Sequence, residues 1–590
     1  MSLYDDSHDE WQDQAEASRD MYRAENTYMD QRYNLHYSNV NTTLPALYSS
    51  TPKPDVRQRY ADPLSENEAA RIASQIIERN LSVSFDQYDI DGAFSAFVRD
   101  GLISGRGVVR VRHNPRIVNE FVFNDIRIEP VPWNDFVMGP GARWEDIHWI
   151  GFKHTLTRDQ LVALNPKVGD KVPLDYSVNN INDDDEQVRR MPDVFKRALV
   201  YEIWDKQTRQ VYWISKAYKE GPVSVRDDTM DLVDFWPVPK PFMLTETSDT
   251  VVPMVPANII KSLLGELEDI TTRIQRLVRV IKWRGFCDPT LNIVELESAR
   301  DGELVPAGET ILPLIQAGGL ERAIWLMPIQ DAVNVVIALT QQREQTKQLV
   351  YEVTGVSDIL RGASDPNETL GAQEIKANFG TLRIQNQQKM VQRVCRDAVR
   401  ITAELMCSQY DMQELMQYSG IKLPTQADKQ MFAQQQQQQQ MMMQQQAQMA
   451  QQQGQEGPPP EPPPVDPKVE RMMSQPTVEE VEAIIRNDLI RTYAIDIETD
   501  STIQQDMASV QRNMAEFLNG TANFLQAIGP MVAEGMLPEE TAIDLYLPFA
   551  RSFHLGKSIE DSLEQLGAKA AEKAKEAPPP DPAEQQAQMQ

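Results

Sequence analysis

The chain has 590 residues, 41% of them hydrophobic, and a formal net charge of −29. That length supports roughly two to four domains with a real core, and the acidity argues against a protein whose main task is to grip a phosphate backbone. Three cysteines (Cys287, Cys395 and Cys407) are too few and too scattered for a disulfide framework or a zinc site. No apolar run approaches the ~20 residues that span a bilayer, and the acidic start "MSLYDDSHDEWQDQAE" has no signal-peptide core, so a soluble, non-secreted protein in a reducing compartment is expected.

Residues 1–64 are polar and tyrosine-rich with weak periodicity, and read as an arm with little core of its own. At 65 the pattern changes. Ser65 and Glu68 stand at capping-box spacing, and apolar residues recur at Ile72, Ile76 and Ile77. "GVVRVR" (107–112), "FVFNDIRIEPV" (121–131), "RALVYEIWD" (197–205) and "QVYWISKAY" (210–218) read as strands joined by short polar turns. Residues 65–256 are therefore expected to be a mixed α/β domain with largely antiparallel pairing.

After Pro256 the apolar residues Ile260, Leu263, Leu267, Ile270, Ile274, Leu277 and Ile281 recur in steps of three and four, a narrow seam with a 3.5-residue period. The spacing predicts a helix over 257–284, ~42 Å long, whose seam would pack on neighbouring copies. Arg273, Arg276, Arg279, Lys282 and Arg284 gather in its last third, where a helix C-terminus favours cations; contact with DNA is the sharper alternative. Residues 286–328 hold short strand-like pieces with turns at Asp301-Gly302 and Gly318-Gly319. A second helix is expected over 329–354, with a polar middle, "TQQREQTKQ" at 340–348, facing water.

Residues 355–370, "GVSDILRGASDPNETL", read as a loop in which one basic residue, Arg361, faces Asp358, Asp365 and Glu368. A helix over 371–412 would be ~63 Å long, with Gly380 as its weak point. Residues 432–464 run through seven glutamines, methionines and "GPPPEPPPVDP", and are expected to be disordered. Residues 476–501 read as a helix followed by a strand. Over 502–568 helix returns, with Ile503, Met507, Val510, Met514 and Phe517 on one face, and 569–590 is a disordered tail.

Catalytic motifs do not assemble. "HLGKS" (554–558) ends like a phosphate-binding loop, but Arg551 stands where its first glycine belongs and no strand precedes it. "QYDIDGAF" (87–94) resembles a calcium loop but puts Gln87 and Val98 at the first and last ligand positions, so a turn before a helix is expected. "SGRG" (104–107) reads as a tight turn entering a strand, and His148 and His154 as structural. No cofactor, metal or catalytic group is expected.

Five stretches in order carry a resemblance: "PVPWNDFVMGPGARWEDIHWIGFKHTLTRDQL" (130–161), "VYEIWDKQTRQVYWIS" (200–215), "DFWPVPKPF" (234–242), "TGVSDILRGASDPNETLGAQEIKANFGTLRIQNQQ" (354–388) and "YAIDIETDST" (493–502). Across roughly 65–520 the chain resembles the portal, or head–tail connector, proteins of tailed bacteriophages, particularly those of short-tailed phages; the segment 432–475 departs from them. The resemblance implies a helix-rich α+β fold. An α/β wing (65–256, 371–431 and 476–501) would carry a two-helix stem (257–285 and 329–354), a small β-containing clip (286–328) and a helical crown (502–568).

It further implies a non-enzymatic ring of twelve copies at one capsid vertex, in the virion and, during assembly, in the host cytoplasm. Double-stranded DNA would pass through without sequence specificity. Partners would be the large terminase subunit, then a head–tail adaptor, with the major capsid and scaffolding proteins around them. By the same resemblance 355–370 would be a tunnel loop, with Asp358, Arg361, Ser364, Asp365, Asn367 and Glu368 toward the channel. Glu295, Glu297, Arg300, Asp301 and Glu303 would meet terminase or adaptor. The rival readings are a DNA-processing enzyme or terminase-associated protein, and a monomeric interaction protein with an intramolecular helix bundle.

Overall fold

The computed structural model describes residues 6–24, 34–58, 68–118, 121–177, 192–281, 285–287, 324–326, 329–355, 370–452, 473, 475–487, 491, 495–499, 515–524, 526–528 and 546. Over these the chain is α+β and helix-rich. Helices α3 (Glu68–Gln87) and α4 (Ile90–Ser104) lead into strand β2 (Arg106–His113). Asp89 starts α4 by accepting the Gly92 N–H at 2.9 Å, so "QYDIDGAF" is a helix start. Gly105 then ends α4 at φ +87°. At Gly107 a Cβ would stand 1.9 Å from the Phe97 carbonyl oxygen, so the tight "SGRG" turn into β2 requires glycine there.

β2 pairs with β5 (Ile126–Val131) on one side and β12 (Phe242–Met243) on the other. A hairpin of β3 (Arg116–Val118) and β4 (Phe121–Phe123) precedes β5. A larger sheet holds β6 (Phe136–Met138), β7 (Trp149–Leu156), β9 (Lys196–Asp205), β10 (Gln210–Ser215) and β11 (Ser224–Asp227), in the order β11-β10-β9-β7-β6, with β8 (Tyr176–Ser177) also on β9. Every pairing among the described residues is antiparallel, as the short turns foretell. α5 (Arg158–Leu164) opens on a capping box of Thr157 and Gln160.

Helix α6 (Pro256–Val280) starts with proline at its first turn, and α7 (Gln330–Thr354) returns beside it. Between them β13 (Gly285–Cys287) pairs with β14 (Ile324–Leu326). α8 (Leu370–Gln409) runs unbroken through Gly380, ~60 Å long. It buries Val391, Val394, Cys395, Ala398, Thr402 and Met406 at helical spacing against the body. Arg486 closes its C-terminus, donating to the carbonyls of Cys407 at 2.8 Å and Tyr410 at 2.7 Å. α9 (Met412–Ser419), α10 (Gln426–Gln452) and α11 (Val478–Arg486) follow, and then β15 (Ile495–Thr499).

The structure corrects the sequence reading in three places. Residues 1–64 are more than an arm. α1 (Asp6–Arg23) and α2 (Leu35–Leu47) are helices docked on α4, and β1 (Pro54–Gln58) pairs with the distant β15. Trp11 drives the docking: its indole donates to the Ser104 carbonyl at 2.9 Å and its ring meets Trp133 edge-on. α1 is polar apart from Trp11 and a few small or isolated apolar residues, so it offers no apolar period to read.

The second correction concerns 432–464, which is helical through Gln452 within α10. Glutamine, methionine and alanine are all good helix formers, so low complexity here does not prevent local order.

The third concerns the α6 seam, whose root half is closed within the chain. Ile260, Leu267 and Ile270 are buried, and Ile260 and Leu267 share a cluster with Val350 and Tyr351 of α7. The polar middle of α7 is no obstacle, because Thr346 is buried with its hydroxyl donating to the Gln342 carbonyl at 3.1 Å, and the Gln342 amide donates to the Glu266 carboxylate at 3.2 Å at the seam's edge.

Candidate functional site

The α6–α7 hairpin carries the surfaces that differ most from the rest of the molecule. Its two helices are antiparallel and end on the β13–β14 pair. At the root, Gly355 ends α7 in the left-handed region at φ +71°. That backbone conformation favours glycine, while a Cβ there would meet only the movable end of the exposed Arg383 side chain, at 2.6 Å.

Beside the closed seam, α7 carries a second, outer line along its flank: Val335, Ala338, Gln342, Gln345, Leu349 and Val353, all exposed, with Gln342 also reaching Glu266 and Val353 bordering the cavity at the root. The steps are again three and four, and no member is charged. Val335 is 45%, Leu349 48% and Val353 40% exposed, which is unusual for aliphatic side chains repeated along one face. The line spans ~27 Å. Sequence reasoning missed it because glutamines occupy its centre; the signal was present in the three–four spacing.

The outward line of α6 is different in kind. Ile259, Ser262, Glu266, Asp269, Arg273 and Arg276 are exposed, acidic toward the root and basic toward the far end. Arg273, Arg276 and Arg279 are exposed and make no ion pair among the described residues. Lys282 and Arg284, the other members of the basic cluster, lie outside the described residues. So do all the loop candidates (Asp358, Arg361, Ser364, Asp365, Asn367, Glu368) and all the clip candidates (Glu295, Glu297, Arg300, Asp301, Glu303). Of 502–568, only 515–524, 526–528 and Tyr546 are described; there Thr521 and Tyr546 hydroxyls meet at 2.6 Å, and Phe524 packs on the Tyr546 ring.

Buried polar groups in the body hold elements together. Glu202 on β9 takes two hydrogen bonds from Arg110 on β2, at 2.6 and 2.7 Å, and so ties the two sheets. His154 Nε2 lies 2.8 Å from the same carboxylate, and the Trp204 indole donates to it at 3.0 Å. Residues 202 and 204 share one strand face, which is what an E-x-W spacing provides. Burial alone would raise the Glu202 carboxyl, but the Arg110 charge and the hydrogen bonds from His154 and Arg110 hold it well below the usual carboxylate range. His154 is thus structural, as its sequence context suggests.

Ser18 and His36 form the one serine–histidine contact near a cavity among the described residues. Ser18 Oγ stands 3.2 Å from His36 Nε2, but its proton goes to the Ile103 carbonyl at 2.6 Å. Burial pulls His36 down to about 4, so the imidazole is neutral at pH 7. The pair fastens α1 and α2 to α4. The neighbouring cavity, about 350 Å³, sits at the hairpin root and is lined by His36, Val40, Leu102, Ile259, Val353 and Ile384. A second cleft, about 570 Å³, lies between Trp144, Lys206, Trp236, Arg400, Glu404 and Arg491, where Glu404 already accepts the Val233 N–H at 2.6 Å. Among the described residues no three His, Cys, Asp or Glu side chains converge to hold a metal, and no helix is long and apolar enough to cross a membrane. No family model matches the chain, and no curated protein matches it.

Proposed function

We propose that the chain is a portal subunit: a structural protein that assembles as a ring around a channel at one capsid vertex. The hairpins would stand side by side as the wall of that channel. The observation that carries this reading is the outward line on α7, uncharged and exposed over ~27 Å, which a single chain leaves in water. Covering Val335, Leu349 and Val353 fully would gain on the order of 1 kcal/mol each, since about half of each is already buried. Repeated at every junction of a closed ring, that is enough to favour assembly.

Three further features support it. The first is the resemblance of five ordered stretches to phage portals, from which the number twelve is taken. The second is the net charge of −29, which in a ring gives a bore that repels DNA over a Debye length of ~8–10 Å and so does not trap it. The third is the placement of Arg273, Arg276 and Arg279, which would give such a bore a weak, sequence-independent phosphate contact near the hairpin's far end. The genome would be driven inward by a terminase motor that supplies the ATP chemistry, and held afterwards by an adaptor that replaces the motor on overlapping surface. The loop 355–370 would hang into the channel.

Light scattering on the purified chain, with negative-stain images, tests the reading. A mass near twelve times 67.1 kDa and particles with a central hole are expected. Single chains under all assembly conditions, or assemblies without a hole, would end it.

A further inference from the structure

Beyond its root, the described side chains of helix α10 are largely exposed. Its root is fastened: Thr425 and Asp428 cap one another, at 2.7 and 3.1 Å, and the Lys429 ammonium donates to the carbonyls of Met473 and Gln475. Beyond the root, Met431, Gln434 through Gln438, Met441 and Met442 are exposed, and only Phe432 and Ala433 are half-buried among the described side chains. Between Lys429 and Glu456 the sequence contains no charged residue, so the i,i+4 ion pairs that sustain exposed helices cannot form. A helix of ~40 Å without charge pairs, and with exposed side chains at Met431, Gln434 through Gln438, Met441 and Met442, gains little stability from its own sequence.

Its sequence is not featureless. Steps of eleven and of seven residues both return to the same side of an α-helix, within ~20°. Met431, Met442 and Met449 therefore fall on one line, and Phe432, Met443 and Ala450 on the line beside it. The glutamines that flank these lines carry amides that both donate and accept.

We propose that α10 pairs along this stripe with the α10 of a neighbouring copy of the same chain. Charge selects the partner. Each copy carries −29, so most of its faces repel another copy, whereas this span is neutral and can meet itself without Coulomb opposition. A strongly acidic or basic partner would find nothing here to pair with. Methionine supplies an adaptable apolar contact, and glutamine amides on one helix can bond those on the other. The pairing takes from the ring reading only that copies stand side by side.

The test uses the full chain with Cys287→Ser, which leaves Cys395 and Cys407, both buried thiols. Met442→Cys places a thiol on the stripe, and Gln437→Cys places one on the opposite side of the helix. After mild oxidation, covalent multimers are read on a denaturing gel while light scattering reports assembly. Several-fold stronger cross-linking at Met442→Cys than at Gln437→Cys is expected. Rings with equal or absent cross-linking overturn the pairing and leave the ring reading standing. Stripe-specific cross-linking without rings supports the pairing and removes the ring reading. Neither rings nor cross-links overturns both.

Discussion

Two guanidinium groups buried in the body and three exposed on the hairpin mark how differently these regions are finished. Arg110 is held by the Glu202 carboxylate and lies 4.0 Å from the Phe152 ring centroid. Arg106 is fully buried under α1, where it donates to the carbonyls of Trp133 and Phe136 and lies 4.2 Å from the Trp11 ring centroid. Arg273, Arg276 and Arg279 have no such surroundings, and the aliphatic line on α7 beside them stays in water. The body thus surrounds both guanidinium groups from its own chain, with Trp11 of α1 covering Arg106. The hairpin closes only its inner seam and leaves an outer one exposed, and that is the surface the proposed ring would cover.

Breaking the body should have the larger effect. Glu202→Gln leaves Arg110 buried without its counter-charge, and loss of a partner from a buried pair typically costs about 3–5 kcal/mol. A clear fall in the denaturation midpoint of the body is expected, followed by Trp fluorescence. A loss below about 1 kcal/mol would mean that water reaches Arg110 and that the sheets are tied elsewhere.

Breaking the hairpin's outer line should spare the fold and change the assembly. Val335→Glu with Leu349→Glu alters two exposed positions away from the root cavity, where substitutions usually move stability by no more than about 0.5 kcal/mol. It nonetheless puts two charges on a line that has none. Circular dichroism and melting of the single chain should be nearly unchanged, while light scattering should show the mass falling toward one chain. If assembly survives, the α7 line is not the junction between copies.

How much of this was legible in the sequence follows from which interactions are local. Strands β2, β5, β9 and β10 were readable because alternation and turn residues lie within each stretch. Helices α6, α7 and α8 were readable because their apolar periods are long. Docking of α1 was not, because Trp11 meets Ser104 and Arg106, more than ninety residues away, and nothing at residue 11 announces that contact. The destination of the α6 seam was misjudged for a similar reason. Counting only apolar side chains on α7 hid Thr346, which is buried in the seam, and Gln342, which reaches Glu266 at its edge. The basic cluster was found by composition, yet the exposed setting of Arg273, Arg276 and Arg279, without an ion pair among the described residues, needed the fold.

The smallest effect expected lies beneath the N-terminal helices, where two buried groups are shifted in opposite senses. Burial lowers His36 to about 4 and raises Asp100, whose carboxylate accepts the Trp133 N–H at 3.2 Å, to about 6. The unfolded chain takes up a proton at His36 near 6.5, so stability is lost as pH falls from there toward 4. At Asp100 the folded chain takes up the proton first, near pH 6 against an ordinary 3.8, so stability is gained as pH falls through the same window. In the native chain the two trends largely cancel. Asp100→Asn leaves His36 alone, and the melting temperature should fall by a few degrees between pH 6.5 and 4.5, at about 2–4 °C per kcal/mol for a large domain. His36→Gln leaves Asp100 alone, and the melting temperature should rise over the same range. If both variants track the native chain, α1 and α2 do not seal these groups from water, and the first helices contribute less to the body than their buried contacts imply.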